Sequence, residues 1–574
     1  MKNKILPIIL ILIFSFVISI PVCAESDVKY GLYYEIVAGG EHSGAINKDN
    51  VLMLWGNNDS GQCSNGEMIY NVSSVKLGSK HTVVLKSDGT VCSFGDNSYG
   101  QCNTGNKNNI KSVFAGYNQT AIIDTSGNLT MLGDNTKLQC EVIDTSEKIK
   151  SVAIGKYHTL ALSEKGKVYA WGDNSKNQCD IPLNIPEIKS IYAGMDFSAA
   201  LDFEGNLYMW GNNRYNQCDF PRNVKFSDIA CGLYHSIAVL NDGTVVSWGG
   251  NWDKQLDIPH SNQKTNKVVA GDKYSGILYE NGEAIMFGNN SYGQCCVPKD
   301  RGNLKKLVSG YESTALLYEN GELVIFGENR WGQCDVPDVK NKITDVSLGA
   351  KFSVILTDDG KLHAWGNNER GQCDIPSDIE SDIVQLESKY ENTLVKTSDG
   401  RIYIWGDNHR YGQCDIPSSL KKVKDASLGF YTVSAIDENG KLYAWGYNAA
   451  QFNQTAIPNS LQYKVSDLEC GGHFTLAKGN DGKIYGWGSD FNYELNIPKN
   501  LENPKIITAG TFHTAALTQK NEVIVWGYDI YNQLKVPDYL KDVQLLSAGG
   551  AYTAAYTKSG LLVGWGQRNF VIFP

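Results

Sequence analysis

Short apolar stretches alternate with polar turns through most of the chain. In one such region, Val152–Ile154 ends at Gly155, Thr159–Leu162 follows, and Val168–Trp171 comes after a tight turn. Runs of this length that are rich in β-branched and aromatic residues and bounded by Gly, Asn or Asp are typical of antiparallel β-strands. The pattern therefore predicts a meander of three short strands, to which Gln178–Ile181 could add a fourth.

The same pattern occurs fourteen times, and in each copy the third apolar stretch ends in a bulky residue followed by Gly. Successive copies are spaced by 38 to 42 residues. A fixed period of this length indicates repeated supersecondary units that stack on one another. The glycines that mark the fourteen units are Gly56, Gly95, Gly133, Gly172, Gly211, Gly249, Gly288, Gly327, Gly366, Gly406, Gly446, Gly488, Gly527 and Gly566.

The turn before the third stretch holds Gly in twelve units and Asn in the other two, at Asn50 and Asn521. A tight hairpin at this point needs a left-handed backbone, which Gly adopts freely and Asn tolerates best among the other residues. The two exceptions therefore support a β-hairpin in every unit.

Three or four strands in about 39 residues cannot bury both faces of their sheet alone, so neighbouring units must cover each other. Radial stacking gives a β-propeller and linear stacking gives a solenoid, and a meander of hairpins in each unit favours propeller blades. Ten of the twelve tryptophans precede a marker glycine. Because Phe94, Leu132, Phe287 and Phe326 take that place in the other four units, we expect bulk there to pack between blades.

The repeat reads Ala-Gly-x-x-His-Thr-x-Ala-Leu, a Gly turn, Val-Tyr-Ala-Trp-Gly-x-Asn and Gly-Gln-x-x-x-Pro. This motif, present from Ile36 to Pro574, resembles the repeat of the regulator of chromosome condensation family. The short period and the ending Gln-Cys-Asp-Ile-Pro are more similar still to secreted bacterial propellers that inhibit β-lactamases. The nucleotide-exchange activity of the chromatin-bound relatives is not expected here, because this chain is acidic and has no basic tail.

The resemblance implies seven blades in each ring, and therefore an all-β fold of two tandem seven-bladed β-propellers. Counting the units seven by seven places the first propeller at residues 30–302 and the second at residues 303–574. The break falls after Pro298 and before Leu304, and no Pro-rich or Gly-rich linker marks it.

The first residues predict export. Residues 1–24 begin with Met-Lys-Asn-Lys, continue as an apolar stretch from Ile5 to Ile20, and end with small residues at the cleavage positions Val22 and Ala24. Lipid attachment at Cys23 is the alternative, but a small residue should then precede the cysteine. We expect a secreted or extracellular protein without a membrane span, because no later segment has the required length and apolar character.

Charge and motifs exclude several function classes. With a net charge of −10, the chain lacks the excess of Lys and Arg that is typical of nucleic-acid-binding proteins. No nucleophile motif, phosphate-binding Gly loop or zinc pattern occurs, so the sequence predicts no catalytic residue, no metal site and no cofactor. An enzymatic site made of carboxylates from different blades stays open as an alternative.

Nine cysteines recur at one place in the repeat, and Leu256, Leu495 and Leu534 take that place in three other units. A position that accepts Cys or Leu requires a compact apolar side chain, so buried free thiols are expected rather than a disulfide framework. The adjacent pair Cys295 and Cys296 has no evident role. Histidines at the Gly-x-x-His position alternate with Phe, Tyr, Gln and Thr, which favours local hydrogen bonds over metal ligation.

One face of each ring is predicted to be aromatic. A meander places the Gly-x-x turns and the loops after Trp-Gly on the same side, and the Gly hairpins on the other. Tyr and Trp gathered on one surface usually mark recognition. We therefore predict partner-binding residues at Tyr99, Tyr117, Tyr157, Tyr215, Tyr234, Trp252, Tyr292, Tyr311, Trp331, Tyr390, Tyr411, Tyr431, Phe512 and Tyr531.

The leading functional hypothesis is a secreted protein-binding module that grips an extracellular or wall-associated protein through this face. The resemblance makes inhibition of a β-lactamase or a penicillin-binding protein a special case. A carbohydrate-binding surface protein is the first alternative, because aromatic platforms also stack on sugar rings. An enzyme with carboxylates of perturbed pKa at a channel mouth is the second.

Overall fold

The computed structural model describes residues 32–105, 107–145, 147–448, 453–499 and 501–573. These residues form forty-three β-strands and two short 3-10 helices, Ser64–Gly66 and Asn459–Leu461. No helix in the described ranges is long and apolar enough to cross a membrane. The predicted signal peptide at residues 1–24 lies outside the described residues.

Each of the first seven units contributes three antiparallel strands. Their bounds are β1 Tyr33–Ala38, β2 His42–Asn47, β3 Leu52–Asn57, β4 Val72–Leu77, β5 His81–Lys86, β6 Val91–Gly95, β7 Ile110–Gly116, β8 Gln119–Asp124, β9 Leu129–Gly133, β10 Ile149–Ile154, β11 His158–Ser163, β12 Val168–Gly172, β13 Ile188–Ala193, β14 Phe197–Asp202, β15 Leu207–Gly211, β16 Phe226–Cys231, β17 His235–Leu240, β18 Val245–Gly249, β19 Thr265–Ala270, β20 Tyr274–Tyr279 and β21 Ala284–Gly288.

Units eight to fourteen repeat the arrangement, and one further strand follows them. Their bounds are β22 Leu304–Ser309, β23 Ser313–Tyr318, β24 Leu323–Gly327, β25 Ile343–Leu348, β26 Phe352–Thr357, β27 Leu362–Gly366, β28 Ile383–Lys389, β29 Asn392–Thr397, β30 Ile402–Gly406, β31 Val423–Leu428, β32 Thr432–Asp437, β33 Leu442–Gly446, β34 Val465–Cys470, β35 Phe474–Gly479, β36 Ile484–Gly488, β37 Ile506–Ala509, β38 His513–Leu517, β39 Val523–Gly527, β40 Val543–Ala548, β41 Tyr552–Thr557, β42 Leu562–Gly566 and β43 Phe570–Ile572.

The hairpin between the second and third strands forms as predicted. Asn50 and Asn521 have φ values of 58° and 63°, and Gly166 has 77° at the same place. The segment Gln178–Ile181 does not form a fourth strand but lies in a turn. Its buried Gln178 accepts a hydrogen bond from the Lys176 backbone N–H at 2.8 Å, so the segment bonds to its own loop rather than to a neighbouring strand.

The first strands of the units surround two central cavities, so the predicted all-β propeller class is confirmed. Units one to seven line one cavity with residues 38–40, 77–79, 115–117, Ile154, 193–194, 231–232 and 270–272. Units eight to fourteen line the other with residues 309–311, Leu348, 388–390, Phe430, Gly472, 509–511 and 548–550. Their division into separate domains at residues 30–302 and 303–574 stays a prediction.

Neighbouring blades are joined by the repeat tryptophan. The indole N–H of Trp171 donates to the carbonyl of Gln139 in the preceding unit at 3.1 Å, and the indole is 7% exposed. In unit one the same bond runs from Trp55 to Gln294 of unit seven at 3.0 Å. In the second set of blades, the Tyr552 hydroxyl donates to the Ser313 carbonyl at 2.6 Å, which joins unit fourteen to unit eight.

The C-terminal strand β43 lies between the two sets of blades. It pairs on one side with β3 of unit one and on the other with β42 of unit fourteen, which gives a continuous seven-stranded sheet. Val571 is opposite Gly56 in the first pairing and opposite Val563 in the second. This strand therefore connects residues about as far apart in the sequence as the chain allows.

Candidate binding face

The two classes of aromatic residue lie on the same side of the blades, as predicted. Tyr215 and Trp252 come from loops after Trp-Gly, and Tyr234 comes from a Gly-x-x turn. The ring centroids of Tyr215 are 4.7 Å from Trp252 and 5.0 Å from Tyr234, and those of Tyr234 and Trp252 are 6.0 Å apart. These three rings form the first aromatic cluster.

All fourteen predicted residues are at least partly open to solvent. Five are exposed, from 40% for Trp331 to 63% for Trp252, and the other three are Tyr99, Tyr311 and Tyr531. The remaining nine are half-buried: Tyr117, Tyr157, Tyr215, Tyr234, Tyr292, Tyr390, Tyr411, Tyr431 and Phe512. Whether they bind a partner stays a prediction.

A second aromatic cluster covers the cavity of units eight to fourteen. Tyr390 stacks on Phe430 with centroids 4.5 Å apart, and Tyr311 from another blade lies 6.3 Å from Tyr390. Tyr411 and Tyr431 extend the cluster outwards, at 4.8 Å from each other. Among the described ring contacts, none joins the other six predicted residues to either cluster: Tyr99, Tyr117, Tyr157, Tyr292, Trp331 and Tyr531.

Two aromatic residues that were not predicted from the sequence, Tyr447 and Tyr528, widen the second cluster. The ring centroid of Tyr447 lies 4.5 Å from that of Tyr411, and the ring centroid of Tyr528 lies 6.0 Å from that of Phe512. Both directly follow Trp-Gly, where most units carry Asn or Asp. An aromatic residue at a place that is otherwise polar was the signal that could have found them.

A charged cluster under the second aromatic cluster was also missed. Lys389 stands where all thirteen other units have Gly at the end of the first strand. Its ammonium group contacts the carbonyl of Cys470 and lies 3.6 Å from the Glu469 carboxylate. Glu387, two residues earlier, accepts hydrogen bonds from the Ser427 hydroxyl at 3.0 Å and the Leu428 backbone N–H at 3.1 Å.

Burial raises the pKa of Glu387 and of Glu469, and the positive charge of Lys389 opposes the rise in both. Burial also raises the pKa of Asp425, and the neighbouring carboxylate of Asp467 raises it further. Each of these carboxyl groups accepts a hydrogen bond from a backbone N–H group of the next blade, such as Leu468 to Asp425 at 2.8 Å. They therefore link neighbouring blades.

The histidines of the Gly-x-x-His position form hydrogen bonds, as predicted, but their partners lie in the next blade rather than locally. His158 Nε2 lies 3.0 Å from the Ser198 hydroxyl of the next unit, and burial lowers the pKa of His158 to about 4. The other pairs are His42 with Thr82, His81 with Thr120, His235 with Ser275 and His513 with Thr553, at 2.9 to 3.1 Å.

We expect His158→Gln to reduce the acid sensitivity of the fold. The folded pKa of about 4 lies below the unfolded value, so stabilisation present above about pH 6.5 is lost as the pH falls towards 4. The difference in unfolding free energy between pH 7 and pH 5 should shrink by about 2 kcal/mol. Gln is suitable because Gln119 takes this place in unit three and donates to the Lys156 carbonyl at 3.1 Å.

Urea unfolding at the two pH values measures this effect. The exposed His260 supplies the control, since His260→Gln should leave the difference between the two pH values unchanged. An equal pH dependence for His158→Gln and the wild type would show that the imidazole is not held neutral.

The recurring cysteines are free thiols in the described part of the chain, where every cysteine is unpaired. The Cys179 thiol donates to the Asp173 carbonyl at 3.4 Å, and Cys102 makes the same contact with Asp96 at 3.3 Å. Burial raises the pKa of Cys179 to about 12 and that of Cys102 to about 11. The thiols therefore close the loop after Trp-Gly and hold little reactive thiolate.

Native protein should accordingly react slowly with iodoacetamide, because alkylation needs the thiolate and access to it. Denaturation without reductant should make the cysteines fully reactive, and mass spectrometry of the alkylated protein would count them. An intact mass that reveals several disulfides would contradict this expectation.

Cys295 and Cys296 lie at the junction of the two sets of blades. Cys295 packs against the core that contains Trp55, whereas Cys296 is buried in the core that contains Phe326 and Phe570. The adjacent cysteines thus place one compact side chain in each core.

Six segments of the chain match the profile of the regulator of chromosome condensation (RCC1) repeat. Most of them begin at the first strand of a unit and end at its buried Gln, as residues 149–178 do. The others are residues 72–101, 188–217, 226–253, 343–372 and 383–413. No curated protein matches the chain.

Several solved structures are similar to the chain at low sequence identity. The ectodomain of the receptor kinase CR4 from Physcomitrella patens is 16% identical with a TM-score of 0.39, over 45% of this chain and 73% of that one. The ectodomain of the receptor kinase ACR4 from Arabidopsis thaliana is 14% identical with a TM-score of 0.38, over 45% and 98%. PorZ, a surface component of the type-IX secretion system of Porphyromonas gingivalis, is 10% identical with a TM-score of 0.29, over 94% and 86%.

Proposed function

We propose, since the chain belongs to the regulator of chromosome condensation repeat family, that it is an exported protein-binding module that engages its partner through the aromatic face. One observation supports this above others: all fourteen side chains of the predicted face keep access to solvent. Tyr and Trp contribute much of the energy at protein interfaces, and idle surfaces carry few of them.

The spread of the exposed rings favours a macromolecular partner. Tyr99 belongs to unit two, Trp252 to unit six, Trp331 to unit eight and Tyr531 to unit thirteen. A small molecule would touch one of these places, whereas a protein surface can cover several. The two aromatic clusters then supply large contact areas on either side of the junction.

Predicted export makes the partner an extracellular or wall-associated protein, and a β-lactamase or penicillin-binding protein is the special case suggested by the repeat ending. The residues of that ending support the blades rather than a partner: Gln178 is fully buried and Cys179 bonds to its own loop. The identity of the partner must therefore come from the variable turn positions.

The enzymatic alternative required clustered carboxylates with perturbed pKa, and Glu387, Asp425 and Glu469 meet that condition. Each of them accepts a hydrogen bond from a backbone N–H of a later blade. That bonding gives the carboxyl groups a structural role between blades, so we favour binding over catalysis.

Affinity capture from the native extracellular medium tests the proposal, with the wild type and the Trp252→Ala/Trp331→Ala variant as baits. Each exposed tryptophan should contribute about 2 kcal/mol, so each substitution should weaken the captured complex about 30-fold. Thermal stability should change little, because an exposed loop side chain leaves no core cavity.

Phe203→Ala is the matched control, since Phe203 is 66% exposed in a hairpin on the opposite side. It should leave capture unchanged. If the double variant captures the same protein as strongly as the wild type does, the aromatic face is not the binding surface.

A further inference from the structure

A cleft of about 660 Å³ lies where the first seven units meet unit eight. Its walls come from the loop after Gly249, from β21 and the loop that follows it, and from β24 and the loop that follows it. Sites for organic ligands commonly measure about 300 to 1,000 Å³ and favour junctions of this kind. The cleft therefore has the size and place of a ligand site.

Trp252 forms one rim of the cleft and is 63% exposed. The rings of Tyr215 and Tyr234 stand at 90° and 89° to the indole, so neither lies flat upon it. A Cβ atom at Gly250 would lie 2.5 Å from Cζ3 of the indole. Other units carry a side chain at the position of Gly250, such as Asn212 in unit five, so it is the Trp252 indole that requires glycine here. Trp252 is thus held in place with much of its surface open.

The polar lining of the cleft is nearly balanced in charge. Four carboxylates face three cationic groups, and one ion pair, Lys254 with Asp335 at 2.5 Å, crosses between units six and eight. Two other pairs are too long for direct hydrogen bonds: Lys273 with Asp253 at 3.8 Å and Arg330 with Glu328 at 3.7 Å. Asp253 Oδ1 accepts a hydrogen bond from the Asn289 amide at 2.8 Å, and Glu328 Oε1 accepts one from the Arg330 backbone N–H at 3.1 Å. The second oxygen of each carboxylate and the two cationic groups can still bond to a ligand, and the balance of charge favours an uncharged polar one.

We infer that this cleft binds an uncharged oligosaccharide. One pyranose ring stacks its C–H face on Trp252, and the hydroxyl groups of the following sugars bond to the charged groups along the walls. The site goes beyond the proposed protein partner, because it takes a different ligand and requires only the residues of the cleft.

Isothermal titration of the full mature chain with cellohexaose and with chitohexaose tests the inference. At least one sugar should bind with saturation. Trp252→Ala should weaken that binding about tenfold or more, and Gly250→Ala should weaken it similarly by displacing the indole. Trp331→Ala is the control, because Trp331 is an exposed tryptophan outside the lining of the cleft, and it should leave sugar affinity unchanged.

Two results would overturn the inference: no binding of either sugar at about 10 mM, or equal affinity of Trp252→Ala and the wild type. Protein capture separates this outcome from the proposed function. If Trp252→Ala loses the captured protein while neither sugar binds, the cleft belongs to the protein-binding face and the oligosaccharide site is refuted. Thermal melts of all variants identify any that fail to fold. Gly250→Ala and Trp252→Ala test the same site independently, because the first displaces the Trp252 indole and the second removes it.

Discussion

Replacement of Phe570 by Ala is expected to lower the free energy of unfolding by about 4 kcal/mol. The Phe570 ring is 1% exposed and meets Phe326 edge-on at 5.2 Å and Tyr552 at 6.4 Å. A side chain at Gly564 would collide with this ring, so the neighbouring strand leaves a space that only the ring fills. Because rigid sheets form the walls of that space, truncation leaves a cavity that cannot collapse.

Deletion of residues 568–574 should have the larger effect, because it removes β43 and leaves β3 and β42 as unpaired edges. Val571 packs in the core of units one and two beside Leu54, and Phe573 packs beside Trp55. Hydrogen exchange should therefore show lost protection in β3 and β42, with protection retained in β10–β12 of unit four.

Phe203→Ala is the control for the single substitution, since its exposed ring should change stability by less than about 0.5 kcal/mol. Guanidinium unfolding followed by circular dichroism compares the two variants. If Phe570→Ala shifts the midpoint no further than Phe203→Ala does, then β43 does not hold the two sets of blades together.

Replacement of Gly271 by Ala is expected to cost about 3 kcal/mol, because the added methyl group has no space. Its Cβ would lie 2.5 Å from the Gly39 carbonyl oxygen and would also overlap the buried Tyr274 ring. Both contacts lie at the join between unit seven and unit one. The Asp272 backbone N–H donates to the Gly40 carbonyl there, and the Tyr274 hydroxyl donates to the His42 carbonyl at 2.6 Å.

Gly360→Asn serves as the comparison, because nothing lies within 4 Å of a Cβ at Gly360 and its φ of 78° suits Asn. It should change stability by about 1 kcal/mol or less, since Asn50 and Asn521 take the same place in other units. Differential scanning calorimetry gives both values. A Gly271→Ala variant as stable as Gly360→Asn would show that the join between units seven and one tolerates displacement.

The strands and hairpins were predictable because each unit encodes them locally. The hairpin rule held at Asn50 and Asn521, since a left-handed backbone is a property of the turn itself. The aromatic face was predictable in part, because a meander assigns each loop to one side. The predicted fourth strand at Gln178–Ile181 was wrong. A short segment of this composition fits an edge strand as well as a loop, and only the structure shows that the buried Gln178 bonds to its own loop.

The charged cluster of Glu387, Lys389 and Glu469 could not be predicted from the sequence, for a different reason. These residues come from two blades, and their proximity follows from the ring rather than from any spacing in the chain. Lys389 alone gave a signal, as the one residue that replaces Gly in fourteen aligned units. The contact of its ammonium group with the Cys470 carbonyl, two units further along the chain, is visible only in the folded protein.

The sequence by itself determined the repeating unit: three short strands, a left-handed hairpin and a bulky residue before Gly, all set by interactions within about 39 residues. The tertiary structure alone decided which units meet. The bond from Trp55 to Gln294, the insertion of β43 between β3 and β42, and the cleft beside Trp252 join residues separated by up to hundreds of positions. Such contacts depend on how the stacked blades fit together. Because a periodic sequence carries the same signal in every blade, the repeat does not indicate which two blades meet where a ring closes.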